Sequence, residues 1–501
     1  MAEPVKRPSI NPLKKLGGRA GASRPSTWNG LSNWQFTAGS AVLGLALAAG
    51  AVLAAGPWDS GQRKAEQEWA AAQDRTGVAH HEPAAPSGPA PAPSAPAVLA
   101  GLSSGINKSA PDVPGTPDGA TADLRATLTP LLNSSALGTV RSAVVIDTAT
   151  GKRLYGKRAD TAMTPASTVK IATTVAALSA LGPGHRIATT VQASPDSRAL
   201  TLVGGGDPTL DKAALRELAA DTVRVLRDRG IDTVRLAYDT SRYSGPALHP
   251  IGPNENIAPV SALMVDEGRL DRSDSGPAPR SGDPAGDAAR AFAGLLHDAG
   301  IGTGSGPAPG RPAAKSRPVA EHLSIPLSGL VERALTNSDN DIAEALARQT
   351  ALASGEPADF AGGRRAVTAQ LKKLHLPLAG AEFADGSGLN RQDKVTAGLL
   401  AGLLARAADP AHPELRPVLT GLPVAGFSGT LKSRYAPKST GTGLIRAKTG
   451  TLTGVNTLAG TVVDSQGRLL AFAFLASGTT SPAEAQSALD ALAASLAGRT
   501  R

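Results

Sequence analysis

Hydrophobic and polar positions divide the chain into three regimes. From Trp34 to Trp58 it reads WQFTAGSAVLGLALAAGAVLAAGPW, without a charged residue and with an apolar run long enough to cross a bilayer. From Asp59 to Gly119 apolar periodicity vanishes: a charged, Ala-rich stretch to Asp74 gives way to Pro, Ala, Ser and Gly, with prolines recurring from Pro83 to Pro117. Such a segment cannot bury a core, and its composition predicts a solvated, partly polyproline linker. Regular periodicity starts near Ala122, with an amphipathic pattern through Leu131. Alternation over Ser142 to Asp147 and Lys152 to Tyr155 predicts a β-hairpin. Residues Ala166 to Leu181, between Pro165 and Gly182, predict a helix that is apolar nearly all the way round and therefore buried.

Further on, strands are predicted at Ile187 to Gln192, Leu200 to Val203 and Thr233 to Tyr238, and helices at Asp211 to Arg229 and Pro284 to Gly300. Gly/Pro-rich stretches at 273–283 and 302–317 flank the second helix. Leu327 to Leu335 and Asp341 to Ala353 read as helices, and Ser481 to Leu496 as an amphipathic one. Leu444 to Lys448, Thr457 to Val463 and Arg468 to Ala476 alternate like strands. A hairpin before the buried helix and strands at the far end predict one antiparallel sheet built from both ends of the domain, with the middle of the chain inserted.

Charge alters the picture mainly at the front. The net charge of +9 comes from 51 Lys and Arg against 42 Asp and Glu. Much of it is local, because Lys6, Arg7, Lys14, Lys15, Arg19 and Arg24 precede the apolar run with only Glu3 opposing them. That flank predicts a single-pass anchor with residues 1–33 cytoplasmic and the rest outside the cell. A cleaved signal peptide is the alternative, since Ala46-Leu47-Ala48 and Ala49-Gly50-Ala51 are small-x-small sites. Nucleic-acid binding is excluded as a class: aromatics make up 3% of the chain and no basic stripe is interleaved with them. The chain has no cysteine, as suits an exported protein that does without disulfides.

Three short motifs carry chemistry. Ser167 and Lys170 are three apart at the start of the buried helix, so the amine can reach the hydroxyl without help from a distant loop. The helix N-terminus also aims free N–H groups at a developing oxyanion. Ser338-Asp339-Asn340 lies between two predicted helices, where a hydroxyl can relay a proton and an amide can hold a peptide group. Lys448-Thr449-Gly450 closes a predicted strand and offers a cation and a hydroxyl to a carboxylate, with Gly450 admitting the substrate backbone. Other matches fail on context. Gly101-Leu102-Ser103-Ser104-Gly105 has no strand before it or helix after it. Gly204-Gly205-Gly206 lacks phosphate-loop spacing, and His80-His81 is too few ligands for a metal.

Ser-x-x-Lys, Ser-Asp-Asn and Lys-Thr-Gly in this order are the shared signature of penicillin-binding proteins and class A β-lactamases. From Leu124 to Leu496 the chain resembles one branch, the class C low-molecular-mass penicillin-binding proteins, which are D-alanyl-D-alanine carboxypeptidases and endopeptidases of the DacB type. Beyond the three motifs the likeness rests on Leu202 to Pro208 (LVGGGDP), Pro259 to Leu263 (PVSAL), Asp385 to Leu389 (DGSGL), Gly429-Thr430-Leu431, and the run KTGTLTGVNTLAG from Lys448 to Gly460. The chain between Lys170 and Ser338 is far longer than the class A helical subdomain needs.

The resemblance implies an α+β fold: a penicillin-binding transpeptidase-like domain at 120–185 and 323–501, with an antiparallel sheet, helices on both faces and an all-helical subdomain. An α/β domain is inserted at 186–322, with any nested domain reduced to 266–283. It implies that Ser167 attacks the carbonyl of a D-Ala-D-Ala bond or of a β-lactam, with Lys170 as base. For that role the lysine must titrate far below its usual value of about 10.4, through burial and the charge of Lys448. Ser338 would pass the proton to the leaving amine and Asn340 would hold the substrate. Lys448 and Thr449 would bind the terminal carboxylate, and the N–H groups of Ser167 and Thr451 would form the oxyanion hole. Asp239, Tyr243 and Arg391 are the nearest matches to residues that read the diamino acid of the stem peptide. Peptidoglycan peptides are the implied partners, β-lactams the covalent inhibitors, and no metal or organic cofactor is required. The rival reading is a catalytically weak wall-binding or β-lactam-sensing protein of the same fold.

Overall fold

The computed structural model describes residues 117–498. The basic tail, the apolar run and the linker up to residue 116 lie outside the described residues. Among those described, no helix is long and apolar enough to cross a membrane.

Helix α1 (Pro117–Leu132) opens on a proline, a residue type suited to a first helical turn, so helix begins slightly inside the expected linker. Strands β1 (Val140–Asp147) and β2 (Arg153–Lys157) form the expected hairpin, with a register shift between Val145 and Ile146. The next helix is divided. Ala166–Val169 is a 3-10 turn, and the α-helix proper, α2 (Lys170–Leu181), starts at the lysine.

The chain then leaves this sheet and builds a second one from β3 (Ala188–Ala193), β4 (Ala199–Val203), β5 (Arg235–Asp239), β6 (Ala308–Pro309) and β7 (Arg317–Leu323). Their spatial order is β6-β5-β4-β3-β7; β4 runs parallel to β5, β5 parallel to β6, and β3 antiparallel to both β4 and β7. Helices α3 (Lys212–Asp228) and α4 (Pro284–Asp298) supply Leu215, Leu218, Phe292 and Leu296 to a core shared with Val191, Leu202 and Leu236. Asp211 and Asp283 cap these helices by accepting from Ala214 N and Gly286 N. Between β5 and α4 the chain forms a long looped arm, held by a 3-10 turn at Asp266–Gly268 and a bridge between Arg269 and Arg280.

On its return the chain forms α5 (Leu327–Thr336), α6 (Asn340–Ala353), α7 (Phe360–Lys373), α8 (Ala397–Ala408) and the single turn α9 (Pro417–Thr420). Strands β8 (Ile445–Leu452), β9 (Val455–Val463) and β10 (Leu469–Ser477) and helix α10 (Pro482–Leu496) complete it. The first sheet has the order β2-β1-β10-β9-β8, antiparallel throughout, so both ends of the domain meet in one sheet as the alternation predicted.

Strand alternation sorts side chains by size across that sheet. On β10, Leu470, Phe472, Phe474 and Ala476 face α1 and α10, whereas Ala471, Ala473 and Leu475 face the helical core around α2. Alanines on that side let α8 approach closely. In α2, Lys170 through Leu178 are all buried, packed among α5, α6, α7 and α8. A lysine therefore starts a helix with no solvent face, and its ammonium can persist there only if partners replace water.

Candidate active site

Ser167 occupies the 3-10 turn behind Ala166, whose backbone is left-handed at φ 48°. That conformation costs an alanine about 1–3 kcal/mol, so surrounding contacts must hold it. Thr457 Oγ1 donates to Pro165 O at 2.8 Å, and Thr168 Oγ1 donates to the same oxygen at 2.7 Å. One turn on, the Lys170 amine donates to Ser167 Oγ at 3.1 Å, Asn340 Oδ1 at 2.6 Å and Ser387 O at 2.6 Å. All three hydrogens of the ammonium have acceptors, and Lys170 is fully buried.

Burial lowers the Lys170 pKa to about 8, against the opposing charges of Asp385, Asp339, Glu344 and Asp393. The expected cause was burial reinforced by Lys448. Burial is the largest influence, but the other principal influences are four acidic groups that face this amine and pull the other way, and Lys448 is not among them. Lys448 is held well below an ordinary lysine, first by its own burial and then by Lys170.

The Ser338 loop meets this pair from the end of α5. Ser338 is left-handed at φ 59°, and Asp339 caps α6 by accepting from Ile342 N at 2.9 Å. Asn340, the first residue of α6, accepts from Lys170 and donates Nδ2–H to Asn256 O at 2.9 Å. On the other side stands β8, which runs through Lys448-Thr449-Gly450 to Leu452 instead of stopping at the lysine. Lys448 Nζ donates to Thr449 O at 2.9 Å, and the Thr449 hydroxyl donates to Thr430 Oγ1 at 2.9 Å. A cleft of about 290 Å³ is lined by Ser167, Ser338, Asn340, Asn256, Thr430 and Thr451, with Arg269 and Arg280 of the looped arm forming one wall.

Gly450 requires a correction. A Cβ there would overlap Thr457 Oγ1 and lie 2.7 Å from Pro165 O, so its missing side chain admits the Ser167 turn, not a substrate backbone. Asp239, Tyr243 and Arg391 do not line the cleft. Asp239 ends β5 and accepts from Ser241 N at 2.7 Å. The Tyr243 hydroxyl donates to Gly206 O at 3.1 Å and accepts from Gln349 Nε2 at 3.2 Å, its pKa raised by burial. Arg391 donates to Thr453 O at 2.7 Å, bracing the turn between β8 and β9. Each of these three groups has a protein partner, and Arg391 remains exposed beside its turn.

Residues that the sequence did not single out complete the site. Thr430, Ser387 and Asp385 lie in Gly429-Thr430-Leu431 and Asp385 to Leu389, quoted above only for their likeness, while Asn256, Glu344 and His249 gave no periodic signal. Glu344 Oε1 accepts from Gly386 N at 3.0 Å and Ser387 N at 2.9 Å, fixing the loop whose carbonyl holds Lys170. His249, Glu344 and Asp385 cluster closely enough to suggest a metal, as do Glu267, Asp339 and Asp341. Their oxygens are largely committed elsewhere: Asp385 to Gly388 N and Asn390 N, Glu267 to Arg269 and Arg333, Asp341 to Ala258 N and Arg280. These are hydrogen-bonded cores.

The D-Ala-D-Ala carboxypeptidase 3 (S13) family matches residues 124–279 and 271–497. The Mycobacterium tuberculosis protein "Carboxypeptidase Rv3627c" is 36% identical over 428 residues, which span 81% of this chain and 89% of the relative. "Carboxypeptidase DacB" of Mycolicibacterium smegmatis is 38% identical over 371 residues, 70% of this chain and 79% of the relative. In fold, the chain is similar to penicillin binding protein 4 (dacB) from Haemophilus influenzae, with a TM-score of 0.61 at 22% identity over 74% of this chain and 98% of that one. With its helices on both faces of a five-stranded antiparallel sheet and this sequence match along almost all of the described residues, the chain belongs to the D-Ala-D-Ala carboxypeptidase 3 (S13) family of serine peptidases.

Proposed function

We propose that Ser167 is the nucleophile and Lys170 the general base of a serine-type D-Ala-D-Ala carboxypeptidase acting on peptidoglycan stem peptides. The observation that carries this reading is the 3.1 Å contact between a fully buried lysine amine and the serine hydroxyl. With its pKa near 8, Lys170 is neutral about tenfold less often than charged at pH 7. An ordinary lysine would need about 3 kcal/mol more to deprotonate. Ser167 Oγ gives its proton to neutral Lys170 and bonds to the carbonyl carbon of the D-Ala-D-Ala peptide bond. As the C–N bond breaks, the leaving D-alanine amine takes a proton relayed through Ser338. Water then hydrolyses the ester and restores the serine. A β-lactam follows the same first step, its amide opening to leave an acyl-enzyme.

The N–H groups of Ser167 and Thr451 serve as the oxyanion hole, and Asn340 holds the substrate backbone. The Thr449 and Thr430 hydroxyls, with Lys448 behind them, suit the terminal carboxylate, whose negative charge favours the protonated form of a lysine otherwise depressed by burial. Cross-linked peptides carry the same type of bond, so endopeptidase activity belongs to the same proposal. Residues 186–322 are read as an inserted domain. The charge-free run from Trp34 to Trp58 behind a basic flank supports a membrane anchor with the catalytic domain outside the cell, a cleaved signal peptide being the alternative.

Fluorescent penicillin should label the protein covalently and fail to label Ser167→Ala, while purified pentapeptide muropeptides lose one D-alanine. Labelling that survives Ser167→Ala would sink the assignment.

A further inference from the structure

Behind the Lys170 cradle, outside the cleft, a buried imidazole contacts the loop that holds the lysine. His249 Nε2 lies 3.0 Å from Asp385 Oδ2 and 3.8 Å from Glu344 Oε1, with all three side chains almost completely shielded from solvent. Asp385 Oδ1 accepts from Gly388 N at 2.5 Å, and its Oδ2 also accepts from Asn390 N at 2.7 Å. Glu344 clamps Gly386 N and Ser387 N, and Ser387 O receives the Lys170 hydrogen at 2.6 Å. Two carboxylates that brace the same short loop therefore share one histidine, supplied by the arm between β5 and α4. Phe360 packs perpendicular to the ring, with centroids 5.3 Å apart at 90°.

We propose that His249 is a positioning residue for the Ser167–Lys170 pair: through Asp385 and Glu344 it holds the 385–388 loop in register and balances the negative charge that faces the Lys170 amine. This rests on Lys170 being the base. Facing that amine are Asp385 and Asp393 from the loop, Asp339 and Glu344 from the start of α6, and Lys448 from β8. Asp393 is driven upward by burial and by Asp385, and it weighs least of the four acidic groups on Lys170. Facing His249 are Asp385 and Glu344, and Arg348, which interacts with Glu344 and Asp359, lies over the Phe360 ring. His249 is thus a second cation beside the two bracing carboxylates that Lys170 faces, with Arg348 also near Glu344.

Burial disfavours a charged ring, yet the hydrogen bonds and charges of Asp385 and Glu344 outweigh it and push His249 up to about 9. Ile251 N–H points at Nδ1 from 3.3 Å, a contact that suits a neutral ring. Against it, the ring lies 3.0 Å from one carboxylate and 3.8 Å from a second, and their combined negative charge favours the imidazolium. The sign of the effect on the base follows. Removing the imidazolium takes one positive charge away from the two anions beside Lys170 and favours its ammonium. Removing the Glu344 charge does the reverse.

The test is the pH dependence of acylation by a chromogenic β-lactam for the full chain, His249→Gln, His249→Asn and Glu344→Gln. In the His249 variants the side-chain amide can still donate to Asp385 without carrying charge. In Glu344→Gln the amide oxygen can still accept from both loop N–H groups. The acid limb of the rate should move to higher pH by about one unit in the His249 variants, and to lower pH by a similar amount in Glu344→Gln. At pH 7 the His249 variants should acylate about tenfold more slowly and recover by pH 10. A merely structural role would scale the rate equally at every pH. That outcome, or shifts of the same sign in both sets, overturns the proposal. In the unmodified protein, ring ¹⁵N NMR should show His249 protonated at pH 7, and a neutral ring there overturns it even if the variants misfold. Lys170→Ala, measured in parallel, separates the two levels: if it still acylates, the base assignment fails, whereas if it is inert and no midpoint moves, only the role of His249 fails.

Discussion

Gly388→Ala probes the tightest constraint on the nucleophile turn. Gly388 sits at φ +83°, and a Cβ there would overlap Ala166 O and lie 2.9 Å from Val169 Cγ1. Two costs follow. An alanine in the left-handed region loses about 1–2 kcal/mol relative to glycine. Overpacking against the Ala166 backbone adds about 1–3 kcal/mol. Ala166 is itself left-handed and immediately precedes Ser167, so the second cost is released by moving the nucleophile. Displacement of a reacting group by about 1 Å is enough for a hundredfold loss of rate. Gly151→Ala supplies the control: its φ is +69°, and nothing lies within 4 Å of the added Cβ. It should show the backbone cost alone. Urea unfolding of both variants, together with the rate of acylation by penicillin, reads the difference. Gly388→Ala should be about 1–3 kcal/mol less stable than Gly151→Ala and severely impaired in acylation. If it unfolds at the same urea concentration as Gly151→Ala and acylates at half the unmodified rate or better, the loop does not brace the turn.

Three further outcomes are expected. Asn340→Asp places a carboxylate where the amide oxygen now accepts from Lys170 at 2.6 Å, which favours the ammonium. Acylation, whose acid limb should otherwise centre near pH 8, then needs a pH higher by one unit or more, and a pH-independent loss would contradict the base assignment. Thr430→Val keeps the shape but removes the partner of the Thr449 hydroxyl at 2.9 Å. A loss of about 0.5–1.5 kcal/mol, roughly 2- to 12-fold in kcat/KM for a D-Ala-D-Ala peptide, is expected, and an unchanged value would remove Thr430 from the site. Tyr243→Phe deletes a hydroxyl bonded to Gly206 O and Gln349 Nε2 and should cost about 1 kcal/mol of stability with peptide hydrolysis intact. A tenfold loss of hydrolysis without destabilisation would return Tyr243 to the substrate.

Local pattern was enough for much of this molecule. Strand alternation in β1, β9 and β10 and the all-round apolar character of α2 depend on neighbours in sequence, so the antiparallel sheet and its buried helix were legible without coordinates. The spacing of Ser167 and Lys170 was legible for the same reason, since residues three apart must meet on any helical turn. Helices α7 and α8 and strand β7 were not. Gly362 and Gly363 dilute the first, α8 buries a run of Ala, Gly and Leu without a polar stripe, and β7 emerges from a Gly/Pro-rich stretch.

What only the tertiary structure decided is which groups surround the lysine. Ser387 O, Asn340 Oδ1 and the carboxylates of Asp385, Glu344 and Asp393 come from points 170 to 223 residues away along the chain, and their separation carries no periodic signal. A pKa is set by burial and by charges within a few ångströms, both properties of packing. Sequence alone therefore determined that a serine and a lysine would touch, and the fold determined how readily that lysine gives up its proton.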